Sequence, residues 1–382
     1  MENMEKKVDR SKKHFIKSFE IKNFRGIDDS GKVEIPAETQ WIFLTGENGF
    51  GKTSVLQALA AGLYGTSRIN NQLTGEERLK TSLDIKISTV DGNEFMGKTD
   101  SKKFENVVAY GSSRLNKLKD ANNQAIPVMG LFDSEIELID IERKLIEWYS
   151  SDKKLFPEHQ PRLDSVKKTL ENLLELKKIH IEKLKNQKIS LKYYQKNTGD
   201  RTHYLTKFNE LATGYKSILL MMGDLMIRLF EIQTKEKEVE DLFGIAIIDE
   251  FDLHLHPKWQ KRLVTELSKT FPYVQFVVST HSPIPLLGVI GNAACFKTTK
   301  HTKQEGIMLE DLSHIDIRNL TPNTIFTSPF FDFEEFIPEN DNDFRNQSVE
   351  DLYKDEVFYQ ILDKKLEKLS KEDEDLLDEL LK

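Results

Sequence analysis

Cysteine is nearly missing from this chain: Cys295 is the single one in 382 residues. A lone thiol excludes an internal disulfide framework and a thiolate zinc cage. Glycine (19) and proline (11) are scarce, which excludes collagen-like and low-complexity architectures. No apolar run approaches the ~20 residues needed to cross a bilayer. The opening MENMEKKVDRSKKHF is charged and has no apolar signal core. The expectation is therefore a soluble, cytoplasmic chain with no membrane contact. Hydrophobic residues make up 38% and charged residues 31%, a balance that lets a chain of this length bury a real core. At ~100–200 residues per domain, two or three domains fit, or one large domain with insertions.

The net charge is −8, but it is unevenly spread. Residues 331–382 hold 18 acids and 7 bases, and the remainder is slightly basic. Within that remainder, Lys167–Lys196 carries 9 lysines against 3 glutamates. An acidic average thus leaves room for local contact with DNA or RNA, because phosphate attraction acts through clustered bases.

The apolar pattern alternates strand and helix. FEIKNF (Phe19–Phe24) and KVEI (Lys32–Ile35) alternate as half-buried strands do. WIFLT (Trp41–Thr45) is a continuous apolar run, the mark of a strand buried on both faces. Asp84–Val90 and the segment after Asp91-Gly92 read as a hairpin, and Glu105–Arg114 as a further buried strand. From Ser134 to Gln187 the spacing of Leu170, Leu173, Leu174, Ile181 and Leu184 reads as helical, with Pro157 and Pro161 breaking it into pieces. Ile189–Gln195 returns to strand, and Ala212–Ile232 is a long apolar helix. Gly244–Asp249 and Tyr273–Thr280 are buried strands with a helix around Trp259–Lys269 between them, the crossover unit of a parallel sheet.

Two strand ends carry chemistry. Gly46-Glu47-Asn48-Gly49-Phe50-Gly51-Lys52-Thr53 matches G-x-x-x-x-G-K-[ST], with a buried strand before it and a helix after it. Gly46, Gly49 and Gly51 let backbone N–H groups curl inward around a phosphate, and Asn48 and Ser54 complete the cradle. Lys52 is placed to bridge phosphates, and the Thr53 hydroxyl to bind Mg²⁺. At the second strand end, Ile245-Ala246-Ile247-Ile248 delivers Asp249 and Glu250 to the carboxyl edge of a parallel sheet. Asp249 is the second candidate for the metal, and Glu250 the candidate general base.

The segment DEFDLHLHPKWQ, the later VVSTHSP and the early Ile21-Lys22-Asn23-Phe24-Arg25-Gly26 together resemble one branch of the ABC-type ATPases. That branch holds RecF-like and SMC-like ATPases and the overcoming-lysogenization-defect nucleases. The resemblance covers about Phe19–Phe296 and implies an α/β fold: an ABC-type P-loop ATPase with a mixed sheet, a short helical insertion and a helical C-terminal tail. It implies ATP and Mg²⁺ as cofactors. It further implies that His281 contacts the γ-phosphate and that Arg25 approaches the nucleotide. Leu211–Ser217 would be a signature loop whose Thr213 and Gly214 cap ATP bound by the opposite subunit of a homodimer or larger homo-oligomer. Leu255-His256-Pro257 would lie at the dimer seam. Two departures stand out: Ala212 replaces the usual signature serine, and Tyr110-Gly111-Ser112-Ser113-Arg114 stands where a glutamine is usual. Both point to slow hydrolysis.

The expected division is a basic N-terminus at 1–18, a first ATPase half at 19–133, a helical insertion at 134–188, a second half at 189–312 and an acidic tail at 313–382. The tail shows no Asp-x-Asp on an apolar strand; Asp341-Asn342-Asp343 lies in a polar stretch. No intrinsic nuclease is expected. Tyr353, Val357, Phe358, Ile361, Leu362, Leu366 and Leu369 form a helical stripe that would dock on the chain's own core or on a partner. The leading expectation is the ATPase sensor or scaffold subunit of a prokaryotic antiphage defence complex, similar to Septu-type, retron-associated or PARIS-type ATPases, controlling a separate effector nuclease. A RecF-like DNA-repair ATPase is the alternative, and a transporter's nucleotide-binding subunit a more distant one.

Overall fold

The chain first builds an antiparallel layer: β1 (Ile16–Phe24), β2 (Ile27–Glu34) and, after a gap in sequence, β4 (Asp84–Thr89) and β5 (Glu94–Met96) pair in the order β2-β1-β4-β5. This is a computed structural model, and it describes residues 12–75, 78–79, 83–97, 102–115, 125–184, 189–195, 205–300, 306–315, 317 and 328–331. A second sheet has six strands in the order β13-β12-β3-β11-β10-β6. They are β3 (Trp41–Thr45), β6 (Val107–Tyr110), β10 (Phe243–Ile248), β11 (Tyr273–Ser279), β12 (Ala293–Lys300) and β13 (Ile307–Asp311). All its pairs are parallel except β12 with β13. The fold is thus α/β with a mixed sheet, as the sequence predicts.

Strand periodicity divides the core in two. Trp41, Phe43, Ala246, Ile248, Phe276 and Val278 point to one side of the large sheet. Their neighbours Ile42, Leu44, Ile245, Ile247 and Val277 point to the other. Residues two apart share a face of a strand, so a run apolar at every position must be covered twice. One side is covered by α1 (Lys52–Tyr64), which also packs against the antiparallel layer. The other is covered by α5 (Thr213–Ile232), buried all round from Ser217 to Phe230. A helix apolar on every side belongs inside a protein or a membrane; among the described residues no helix is long and apolar enough to cross a bilayer.

The segment read as helical to Gln187 is helical only in its first part. Helix α3 (Ile141–Ser150) and helix α4 (His159–Leu173) form, but Leu176–Lys183 is strand β7, paired antiparallel with β8 (Ile189–Gln195), which pairs with β9 (Leu205–Thr206). A register shift between Leu176 and Lys178 separates the buried Leu176 and Ile179 by three residues, which mimics a helical spacing. Pro161 breaks nothing: it sits in the first turn of α4, where its missing N–H is not needed. The strand read at Glu105–Arg114 shortens to Val107–Tyr110, and that read at Lys32–Ile35 begins earlier, at Ile27. Helix α2 (Thr66–Asn70) follows α1 directly, and α6 (Pro257–Thr270) links β10 to β11. The start of the basic N-terminus, Asp341–Asp343 and the apolar stripe from Tyr353 to Leu369 lie outside the described residues.

Candidate functional site

The loop after β3 turns back on itself through left-handed residues. Gly46 has φ 125 and Gly51 φ 87, conformations that L side chains avoid. Space forbids a side chain as well: a Cβ on Gly46 would lie 2.4 Å from the Thr298 carbonyl oxygen, and one on Gly51 2.2 Å from Ile307 Cδ1. Strands β12 and β13 therefore press the loop from behind. Asn48 and Gly49 lie exposed at its crest, with nothing within 4 Å of a Cβ built on Gly49. Helix α1 starts at Lys52 with no side-chain cap and no acid in its first turn. Its first N–H groups and its partial positive charge are left for an anion.

Lys52 is buried and donates from Nζ to the carbonyls of Gly46 at 2.7 Å and Glu47 at 2.9 Å. Burial lowers its pKa, while Asp249, Glu250, Asp252 and Glu47 oppose that shift. The Thr53 hydroxyl donates to Asp249 Oδ2 at 2.7 Å. This bond joins the two motifs read from sequence across two strands of the sheet. Asp249 Oδ1 accepts from Ser279 Oγ at 2.5 Å, and the same Ser279 Oγ accepts from the Glu250 N–H at 2.7 Å. Ser279 at the end of β11 thus orients both acids, a role the sequence reading did not assign. The signal was present in the intact Ser-Thr-His-Ser-Pro, where only the histidine was singled out.

His281 follows on the loop after β11, exposed, with its N–H 3.4 Å from Asp252 Oδ1. Its pKa is lowered by partial burial and by the Lys52 cation, against the pull of Asp252, Glu250 and Asp249. These neighbouring charges place it in the same electrostatic cluster. Arg25 lies exposed beside α1, where Nη1 donates to Gln57 Oε1 at 2.6 Å and the guanidinium sits 5.8 Å from the Phe132 ring. Arg114 was also missed as a site residue. It is 2% exposed, and its Nη2 donates to the Glu250 carbonyl at 2.6 Å.

Thr213 and Gly214 open α5. Ala212 precedes the helix without a side-chain cap, so the first N–H groups are again available. Thr213 is exposed, and a Cβ on Gly214 would be 2.9 Å from the His254 carbonyl oxygen. The structure thus sets Gly214 against the segment leading into α6 and leaves Thr213 exposed. His256 caps α6 by accepting the Lys258 N–H at 3.3 Å, with Pro257 at the first helical position.

The residues fit a nucleotide with a divalent ion. The loop has an open crest, a buried cation and an uncapped helix. Among the described residues no group of three or more His, Cys, Asp or Glu could hold a metal alone. A divalent ion at Thr53 and Asp249 would need further oxygens, such as phosphate supplies.

A family model described as an AAA domain matches residues 18–243, and a second, whose description adds an AbiEii toxin of a type IV toxin–antitoxin system, matches residues 230–285. The chain is similar to Septu protein PtuA of Bacillus mycoides (strain KBAB4): 28% identical over 363 residues, 86% of this chain and 46% of the relative. It is 43% identical to the "Retron Vc95 probable ATPase" of Vibrio cholerae over 79 residues, 21% of this chain and 15% of that one. The match therefore spans less than half the length of either curated relative. Among solved structures, the SMC head domain from Thermotoga maritima aligns with TM-score 0.41 and 14% identity over 78% of this chain and 98% of that one. The recombination mediator protein RecF aligns with TM-score 0.41 and 13% identity over the same shares.

Proposed function

Because the chain belongs to the AAA domain family, we propose that it binds ATP with Mg²⁺ on the Gly46–Thr53 loop and hydrolyses it slowly. We place it as the sensor or scaffold subunit of a prokaryotic antiphage defence complex that controls a separate effector nuclease. The observation that carries the nucleotide reading is the 2.7 Å bond from Thr53 to Asp249, which brings phosphate loop and acidic strand end to one point. ATP supplies the transferable γ-phosphoryl group, and Mg²⁺ offsets phosphate charge. In this reading Lys52 and the α1 N-terminus hold phosphate, and Thr53 and Asp249 hold the ion. Glu250 takes the proton of the attacking water at its carboxylate. His281, kept largely neutral near pH 7 by its lowered pKa, offers a ring N–H to the reacting end. Gly46, Asn48, Gly49, Gly51 and Ser54 shape the cradle, and Arg25 guards its side.

The defence role is supported by the Septu and retron relatives, the first of which aligns along 86% of this chain. Contact of nucleic acid with the Lys167–Lys196 segment belongs to the same reading. Part of that charge is neutralised internally, since Lys192 pairs with Glu182.

The test is ATP affinity of the purified chain beside Lys52→Ala, followed by phage plating of cells carrying each version with its neighbouring gene. Lys52→Ala should lose ATP binding, because the loop loses the cation that faces it, and should lose protection with it. Tight binding retained in Lys52→Ala would sink the loop assignment. Protection independent of the chain, or its isolation with DNA alone, would sink the defence role.

A further inference from the structure

Arg114 lies four residues past the end of β6 and ranks among the largest fully buried side chains described. A buried guanidinium is costly unless it is compensated by partners. Nη2 donates to the Glu250 carbonyl at 2.6 Å, and Nη1 lies 3.5 Å from Met221 Sδ on α5. Nε is buried and has no partner among the described residues. Burial lowers the guanidinium's pKa to about 10, while Asp249, Asp252 and Glu250 pull it back up, so the group stays charged at neutral pH. Filling space would need only an apolar side chain; a charged fork with a donor left over calls for another explanation.

Glu250 supplies it. Its φ is 48, a left-handed conformation that is strained for a residue with a Cβ and persists only where surroundings impose it. Four hydrogen bonds surround it. Ser279 Oγ accepts the Glu250 N–H, the Glu250 carbonyl accepts from Arg114 Nη2 and from the Leu253 N–H at 2.9 Å, and the Phe251 N–H donates to the Ser279 carbonyl at 2.9 Å; Arg114 is the one side chain among the described residues that grips the carbonyl. The peptide planes on both sides of the Glu250 Cα are thus clamped, which fixes the direction of its side chain.

We propose that Arg114 is the positioning residue for Glu250: it holds the backbone that aims the Glu250 carboxylate and ties that backbone, through Met221, to helix α5. It stands where the sequence lacks the expected glutamine, so a link between the nucleotide site and α5 is made by a different residue type. The inference rests on the reading of Glu250 as the base.

The experiment compares the full chain with Arg114→Met, Arg114→Lys and Glu250→Gln, measuring ATP affinity, KM, kcat and melting temperature. Arg114→Met should lower kcat on the order of 10- to 100-fold, the scale of a small misplacement of a reacting group, with KM and ATP affinity unchanged. Arg114→Lys, which keeps a buried donor, should recover part of that loss. A wild-type kcat in Arg114→Met overturns the proposal. A joint fall of kcat, ATP affinity and melting temperature without recovery by lysine also overturns it, because that pattern marks a structural role only. Should Arg114→Met not fold, Arg114→Lys decides: reduced kcat at unchanged KM supports the proposal and a wild-type kcat refutes it. Wild-type turnover in Glu250→Gln would remove the base reading and this inference with it. An inactive Glu250→Gln beside an unimpaired Arg114→Met removes this inference alone.

Discussion

Both carboxylate oxygens of Asp249 accept hydrogen bonds, from Thr53 and from Ser279, and its own N–H donates to the Tyr110 carbonyl at 2.8 Å. The acid is therefore fixed at three points in a buried position, whereas Glu250 beside it is held, among the described residues, through its backbone. That difference suits their proposed tasks: a metal ligand must stay put, and a base must reach water. Glu250→Gln keeps the side chain's size and removes its basicity. Turnover should fall about 10²–10⁴-fold, the usual contribution of general-base catalysis, while ATP stays bound. Phosphate release and molecular mass measured on the same sample check this; an ATP-bound dimer should accumulate. Unchanged turnover would show that another group takes the proton.

At the scale of elements, the strands under the site are legible because burial on both faces leaves an uninterrupted apolar run: Trp41–Thr45 and Phe243–Ile248 end where the chemistry begins. Helix α5 is legible for the same reason. What it carries inside is not. Asp224 is fully buried and accepts from Tyr110 Oη at 2.8 Å, from the Ile139 N–H at 2.9 Å and from Arg228 Nε at 2.7 Å. Asp224 and Arg228 stand i, i+4 on α5, a spacing that pairs them on any helix face, so the sequence does not show that Tyr110 and the Ile139 N–H complete the acid's surroundings. Strand β7 escaped for the opposite reason: its bulge gives a local spacing that points to the wrong element. Ser279 and Arg114 escaped because their importance lies in contacts with Asp249 and Glu250, which only the sheet brings within reach. The loop and the acidic pair needed no tertiary knowledge to be picked out as candidates, because their spacing alone marks them, and the Thr53–Asp249 bond brings them together. Asp224→Leu should destabilise the protein by about 3–5 kcal/mol, the cost of leaving a buried partner charge alone. Urea unfolding measures it, and Asp224→Leu with Arg228→Met should recover part of the loss. A single variant as stable as the parent would show that the pair is not what holds α5 against β6.

At the scale of the whole molecule, the two helix ends proposed to bind phosphate do not meet within one chain's described contacts. The α1 end faces the Gly46–Thr53 loop. The α5 end is exposed at Thr213 and pinned from behind, with Gly214 against His254 and the Tyr215 ring 5.3 Å from Trp259. If a second copy packs about a two-fold axis with its α5 end on the other chain's loop, the contact is made twice, because such an interface is reciprocal. Thr213→Arg should then leave folding and ATP binding by a single chain intact, because its side chain points to solvent, yet abolish ATP-dependent dimerisation and turnover. Lys52→Ala should be inactive for the separate reason that it binds no ATP. Mixing the two inactive variants is decisive. One site of the mixed dimer combines the intact loop of the Thr213→Arg chain with the intact α5 end of the Lys52→Ala chain, and the other site has both defects. Turnover should therefore return on mixing and rise with total protein concentration. If each chain hydrolysed ATP with its own residues alone, no mixture of the two could recover activity, and Thr213→Arg by itself would turn over as the parent does.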